Sequence, residues 1–396
     1  MKILVLNSGS SSLKYQLMDM DTETVMAKGN FERIGIGKSF LTHKVNGEKY
    51  KMEHDVANHD EAIQVVLQQL TDKDHGVIAN LNEIDAIGHR IVHGGEKFTK
   101  SVIVDDSVVE GIREAIAFAP LHNPAAIAGI EACLKELPGK KNVTVFDTAF
   151  HQTMPKEHYI YPIPYEYYEK YGVRKYGAHG TSHKYVAGRI AELLGKPVED
   201  LKIINCHLGQ GASICAIQNG KCVDTSMGLT PLGGIAMGSR SGDLDPSVVT
   251  YIMKKENLTP DEMSDILNKK SGLLGLSGIS ADNRDIEEAE ANGDERARFA
   301  LATYAYIIAQ YIGKYAVTMN GVDVITFTAG VGERGPETRQ EVCSYLGFMG
   351  VDLDLEENKE KAVEKEISSK NSKVKVWVVP TDEELMIARE TLALIQ

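Results

Sequence analysis

Apolar and polar positions along the chain fall into two series of elements that open in the same way. Residues 1–6, MKILVL, are an almost unbroken apolar run that stops at a turn of small and hydroxylated residues, Asn7 to Ser12. Leu13 to Met18 is a second apolar run, so the two predict a hairpin. Strand-like segments follow near 25–34, 40–45 and 48–54. From Asp60 the period becomes helical, with Ala62, Ile63, Val66, Leu67 and Leu70 on one face. Helices at about 107–118 and 125–136 lead to a strand at 143–146 that ends at Asp147. Near Lys202 the order begins again: Ile203 and Ile204 run into a glycine turn, 212–217 returns, and 221–225 follows. A shift of 200 positions lays Gly9 on Gly209 and Ile3 on Ile203. Helices at about 246–255, 260–268 and 294–318 precede the strand 322–328. A strand at 374–379 runs into a helix from Glu383 to Ile395, with Thr381 or Asp382 as its cap. Paired strands, then strands alternating with helices, twice over, predict an α/β chain of two related domains with a cleft between them. The expected boundaries are 1–150 joined by the C-terminal helix 383–396, and 151–382. Ligands in such folds sit beyond the carboxyl ends of strands.

Length supports two domains, since 396 residues exceed one ordinary core. A net charge of −13 repels phosphate backbones and argues against nucleic-acid partners, although a local cluster of Arg and His can still hold a small anion. The longest uncharged apolar stretch, Phe299 to Gly313, contains Gln310, Thr303 and three tyrosines and falls short of a membrane span. It reads as a core or interface helix. No signal-peptide core opens the chain. Five cysteines without CxxC spacing fit free thiols in a reducing compartment, so a cytoplasmic location is expected and the sequon at Asn142 is a chance match.

Three glycine-bearing strand ends carry candidate phosphate chemistry. Asn7-Ser8-Gly9-Ser10-Ser11-Ser12-Leu13-Lys14 combines close backbone approach, hydroxyl donors and a cation. His207-Leu208-Gly209-Gln210-Gly211 is a second such turn, and Ala329-Gly330-Val331-Gly332-Glu333 a third. No Walker loop is present: Gly37-Lys38-Ser39 lacks the loop's first glycine, because Glu32 stands there. His89-Arg90 is followed by Ile91, not the Asp of a protein-kinase catalytic loop. His179 and His183 have the spacing of a zinc helix, but Gly180 and Thr181 argue against helix there and no Glu completes a site; Ser182 is expected to cap the helix that follows. Arg90, His122, Asp147, Arg240 and Glu383 each lie in a strand end or a loop bounded by Gly or Pro.

Taken in order, several blocks resemble the acetokinase family of the actin, sugar-kinase and heat-shock-ATPase superfamily. They are Asn-Ser-Gly-Ser-Ser-Ser-x-Lys from Asn7, Gly-His-Arg-x-Val-His-Gly-Gly from Gly88, Phe-Asp-Thr-Ala-Phe-His-Gln-Thr-Met from Phe146, His-Gly-Thr-Ser-His from His179, Met-Gly-x-Arg-Ser-Gly-Asp from Met237, and Thr-Asp-Glu-Glu from Thr381. The resemblance implies two domains of the actin-like ATPase (ribonuclease H-like) type. It implies reversible phosphoryl transfer from ATP to acetate, giving ADP and acetyl phosphate, and a homodimer. It also implies Mg²⁺, with Mn²⁺ as a substitute, on Asn7 and Glu383. By the same resemblance Ser12 and Lys14 line the phosphate path, Arg90 grips the carboxylate by its planar fork, and Val92, Leu121 and Pro231 form the acyl pocket. Asp147 orients or deprotonates a reacting group, His122 is a further catalytic residue, and His179 and Arg240 stabilise the phosphoryl group in flight. His207, Leu208, Gly209, Gln210 and Gly211 touch the phosphates, and Asp282, Asn283 and Arg284 reach the adenosine above Gly330, Val331, Gly332, Glu333 and Arg334. Three positions depart from the family pattern. Gln210 and Arg334 stand where Asn is usual, and Ala178 where some members carry Phe, which opens the question of acid length.

An acetate carboxylate is already a nucleophile at neutral pH, so the implied obstacle is the approach of two anions. Direct in-line transfer then asks mainly for positioning and positive charge. Kinases of longer acids, a nucleotide-gated scaffold and a metal-dependent hydrolase are the competing readings.

Overall fold

In the computed structural model, which describes residues 1–396, the chain divides into two compact units. One comprises Met1–Phe150 with Asp382–Gln396, the other His151–Thr381.

The first unit is built on an eight-stranded sheet. Its strands are β1 (Lys2–Gly9), β2 (Ser12–Asp19), β3 (Thr24–Glu32), β4 (Phe40–Val45), β5 (Glu48–Glu53), β6 (Ala86–Ile91), β7 (Val102–Ile103) and β8 (Lys141–Phe146). Their order across the sheet is β5-β4-β3-β2-β1-β6-β8-β7. The hairpin forms where the apolar runs predict it, with Asn7 opposite Lys14 and Gly9 opposite Ser12. Leu4 and Leu6 of β1 pack with Ala62, Ile63, Val66, Leu67 and Leu70 of the helix His59–Leu70 and with Ala132 and Cys133 of the helix Asn123–Glu136. The C-terminal helix Glu383–Ile395 covers the neighbouring strands: a Cβ on Gly88 of β6 would stand 2.5 Å from Thr391 Oγ1 and 2.8 Å from Ile387 Cγ2.

The second unit repeats the plan. Its strands are β9 (Lys202–Leu208), β10 (Ala212–Gln218), β11 (Lys221–Thr225), β12 (Val324–Thr328), β13 (Lys365–Glu366) and β14 (Lys375–Val378), in the order β11-β10-β9-β12-β14-β13. In each unit an antiparallel hairpin is followed across the sheet by two parallel strands, β6 and β8 in the first, β12 and β14 in the second. The long helix Glu295–Thr318 buries Tyr304, Ile308, Ile312 and Tyr315 in this unit's core. Its apolar stretch supplies that buried face and leaves Phe299 and Tyr306 exposed, and no helix is long and apolar enough to cross a membrane.

Three local readings change. Residues 86–91, which show no strand period because Gly88, His89 and Arg90 interrupt it, form β6. His89 is tolerated inside because its Nε2 meets Asn142 Oδ1 at 2.7 Å, and burial pulls its pKa down to about 4. The same contact buries Asn142, which removes the sequon from the surface. Gly180 and Thr181, expected to oppose helix, are the first two residues of the helix Gly180–Leu194. Both are buried, and small side chains at this end let the helix lie against β9. Ser182 is therefore not its cap. His179 holds that position in the left-handed region, at φ 58°. The expected helix 107–118 is an α-helix only over Asp106–Glu114 and tightens to a 3₁₀ turn over Ala115–Phe118.

The close contact at Gly88 yields a stability test. Gly88→Ala forces Ile387 and Thr391 off the sheet and should cost about 1–3 kcal/mol in urea unfolding, the usual penalty for overpacking. Gly188→Ala, on an open helical position with nothing near its Cβ, should stabilise by about 0.5–1 kcal/mol. Equal midpoints for the two variants would contradict this packing.

Candidate active site

Each unit carries its own set of the expected residues. In the first, the hairpin β1–β2 presents Asn7, Ser12 and Lys14 at its turn end. His59, at the start of the helix His59–Leu70, fixes that turn through Nε2 to Gly9 O at 2.7 Å. A buried histidine at the first position of a helix gives no hint of this in the sequence.

Arg90 is the fifth residue of β6, and Asp147 follows β8 directly, its N–H donating to Ile91 O at 2.8 Å. The parallel pairing of β6 with β8 therefore brings the two together. Arg90 donates to Asp147 Oδ2 from Nε (3.1 Å) and Nη2 (2.7 Å), and Glu383 Oε2 lies 3.7 Å from Nε. Burial works against the charge on Arg90, but Asp147 and Glu383 more than offset it and hold the guanidinium cationic. Glu383 opens the C-terminal helix, and Asp382 caps that helix by accepting from Leu385 N at 2.9 Å. Burial lifts the Glu383 carboxyl to about 7. Arg90 and Lys14 pull it down while Asp147 and Glu384 push it up, so these groups share one neighbourhood.

Val92 follows β6, while Leu121 and His122 precede the helix Asn123–Glu136. Asn123 ties the two segments, its Nδ2 donating to His93 O (2.9 Å) and Ile112 O (3.2 Å), and the His93 and Phe118 rings stack at 4.9 Å. Leu121 is 63% exposed, an apolar side chain left open in a tethered segment.

In the second unit the zinc-like pair His179 and His183 belongs to a hydrogen-bonded chain. Thr326 Oγ1 donates to Asn205 Oδ1 (2.7 Å), which turns the Asn205 amide nitrogen toward His183 Nδ1 (2.8 Å). Burial, with the neighbouring His151 and His207, holds the His183 pKa far below its ordinary value, so the ring is neutral and its proton sits on Nε2. That N–H faces Ser213 Oγ at 2.8 Å, and Ser213 Oγ in turn faces His179 Nδ1 at 2.9 Å. Ser213 Oγ has one hydroxyl proton and no acceptor within reach other than His179 Nδ1, so the arrangement that satisfies it donates that proton to Nδ1 and puts the His179 N–H on Nε2. His207 stacks on His179 at 4.1 Å between centroids and is held by Ser182 Oγ at 2.8 Å from its Nδ1. Ser182 also meets Thr381 Oγ1 at 2.8 Å, a role quite different from helix capping.

Gly211 lies against this ring. A Cβ there would be 3.6 Å from His179 Nε2 and 3.3 Å from Arg240 Nη1. Arg240 donates from Nη1 to Pro231 O (3.2 Å) and touches Met237 Sδ (3.8 Å), with no carboxylate paired to it; burial lowers its pKa. Arg90 and Arg240 thus differ in kind, the first compensated by acid groups and the second holding an uncompensated charge.

A pocket of about 200 Å³ in this unit is lined by Gly209, Gln210, Asp282, Asn283, Arg284, Gly330, Val331 and Arg334. These are expected nucleotide contacts, brought from three separate segments. Gly238, Leu273, Ala281, Glu287, Tyr304 and Gly335 complete the wall and were not singled out from the sequence. Of these, Glu287 sits one helical turn beyond Asn283, whose Nδ2 donates to it at 2.5 Å. Gly238 leaves room for Gln210, whose Oε1 would stand 2.3 Å from a Cβ there. Leu208 and Gly332 are buried behind the pocket. Glu333 accepts from Ala329 N (2.8 Å) and Thr381 N (3.2 Å), which fixes the glycine turn from behind. Ala178 is 3% exposed and packs in the unit's core.

The chain is similar along its length to proteins already described. A model of the acetokinase family matches residues 2–389. An acetate kinase of Thermotoga petrophila is 60% identical over 399 residues, covering 100% of this chain and 99% of the relative. One from Caldanaerobacter subterraneus is 60% identical over 398 residues, with the same coverage. The crystal structure of Porphyromonas gingivalis acetate kinase matches with a TM-score of 0.97 at 50% identity, covering 100% of both chains. A propionate kinase from Francisella tularensis matches at 0.93 and 41%, covering 99% of each.

The hydrogen-bonded chain predicts that Ser213→Ala lowers kcat by about 10–100-fold, the usual cost of losing a group that orients a ligating or reacting side chain, with KM for both substrates little changed. A KM effect with kcat intact would place Ser213 in binding instead.

Proposed function

The chain belongs to the acetokinase family and carries that family's reaction, phosphoryl transfer between ATP and acetate; from this premise we propose a direct in-line transfer in which the first unit holds the acid and the second the nucleotide. One observation carries the division. The pocket lined by Asp282–Arg284, Gly330, Val331 and Arg334 shares the turn Gly209–Gly211 with the His179–Arg240 pair, so phosphates leaving that pocket run toward an N–H donor and an uncompensated cation.

In this reading an acetate oxygen forms a bond to the γ-phosphorus as the bond from that phosphorus to the β,γ-bridging oxygen breaks, and ADP leaves. No base is required. Arg240 and the Nε2–H of His179 take up charge on the transferring oxygens, where fixed donors are worth most. Arg90, aligned by Asp147 through two hydrogen bonds to one oxygen, offers its remaining N–H groups to the carboxylate. Val92 and Leu121 provide the apolar contact for the methyl group. Asp147, which accepts both Arg90 hydrogen bonds on Oδ2, has the part of positioning that arginine.

Asn7 and Glu383 are the proposed ligands of Mg²⁺, with Mn²⁺ as a substitute. They suit a hard divalent ion, being an amide oxygen and a carboxylate. When bound, the ion supplies charge against the phosphate oxygens.

Arg90→Ala and Arg240→Ala should both fold and each lose roughly 10²–10³ in turnover, as removal of one preorganised donor does elsewhere. The assay traps acetyl phosphate with hydroxylamine, with circular dichroism as the fold control. Near-normal turnover in either variant would remove that arginine from the mechanism.

A further inference from the structure

Three side chains with no part in the phosphoryl chemistry meet inside the second unit. His151 comes from the turn Ala149–Thr153, Cys215 from β10 and Cys222 from β11. All three are fully buried, and neither cysteine is in a disulfide. His151 Nδ1 lies 3.1 Å from Cys222 Sγ and 3.9 Å from Cys215 Sγ, and the two sulfurs are 3.5 Å apart. A point equidistant from the three atoms lies about 2 Å from each, and a small step out of their plane reaches the roughly 2.0–2.3 Å of Zn–N and Zn–S bonds.

The histidine is already set for coordination. Its Nε2 is 2.9 Å from Ala178 O, and a carbonyl only accepts, so the proton sits on Nε2 and the Nδ1 lone pair faces the sulfurs. Metal-bound histidines are held in this manner by a second partner on the far nitrogen. Charge also selects the ion. Two thiolates and a neutral imidazole cancel a dication, leaving a buried site without net charge, whereas a monovalent ion would leave an uncompensated negative charge there. Tyr315 is also fully buried in this core, and its hydroxyl has no hydrogen-bond partner.

We infer that His151, Cys215 and Cys222 form a structural zinc(II) site that pins the hairpin β10–β11 to the Ala149–Thr153 turn and, through Ala178, steadies the segment leading into His179. The cysteines are seven residues apart on a hairpin and the histidine is remote in sequence, so no ligand spacing announces the site.

The test uses the full chain expressed with zinc in the medium and gel-filtered in excess magnesium, which clears ions held by oxygen ligands. Roughly one zinc per chain should remain, and X-ray absorption should show two sulfur neighbours at about 2.3 Å and a nitrogen at about 2.0–2.1 Å. Cys215→Ser and Cys222→Ser should each lose the ion, while Cys133→Ser, in the first unit, should keep it. Zinc that is absent, bound only through oxygen and nitrogen, or retained equally by Cys222→Ser would overturn the site. If the serine variants do not fold, the absorption spectrum of the unmodified protein decides alone.

Discussion

The hydrogen-bonded chain Thr326–Asn205–His183–Ser213–His179 sets the terms for the second unit's chemistry. The first three links have a fixed direction, and the last is the one that satisfies the single hydroxyl proton of Ser213. A threonine hydroxyl orients an amide, the amide fixes which nitrogen of a neutral histidine is protonated, and a shared serine passes that choice to His179. The result is an N–H placed beside Gly211 and Arg240, at the end of the turn that borders the pocket lined by Asn283 and Arg334. The left-handed backbone at His179 belongs to the same arrangement. It is a residue held in a sparsely populated conformation because the surrounding contacts over-determine it.

Charge is the second constraint. A protein with a net charge of −13 that joins two anions must concentrate its positive groups, and the two units do so differently. Arg90 is locked in place by Asp147 and Glu383, which suits an orienting fork that gains little from extra charge. Arg240 is contacted by a carbonyl and a thioether only, which leaves its charge available to an anion.

Much of this was legible in the sequence where one rule dominates. The two hairpins, the duplicated order of strands and the helices with clean apolar faces follow from periodicity, and the blocks around Arg90, Asp147, His179, Arg240 and Glu383 identify the family. What escaped is where a buried polar network overrides local preference. Strand β6 is hidden because His89 is satisfied by Asn142 across the sheet. The helix at Gly180 is hidden because its cap is a strained histidine and not a serine. The second-unit relay left one trace: Asn205, His207, Ser213 and Thr326 are polar positions in otherwise apolar strands, and the pairing puts Asn205 beside Thr326 and His207 beside Ser213. A polar stripe on a buried sheet face needs partners, and that signal becomes decisive only once the register is known. The His151–Cys215–Cys222 cluster had no trace at all, since a strand pairing and a turn create it.

The account rests on the proton of His179 being on Nε2. Heteronuclear NMR of the imidazole nitrogens reads this directly in histidine-labelled protein, with His179 assigned by the signal lost in His179→Gln. The neutral ring should be the Nε2–H tautomer with Nδ1 as an acceptor, and Ser213→Ala should convert it to a mixture. An Nδ1–H tautomer in the unmodified protein would contradict the relay and the role assigned to it in the transfer.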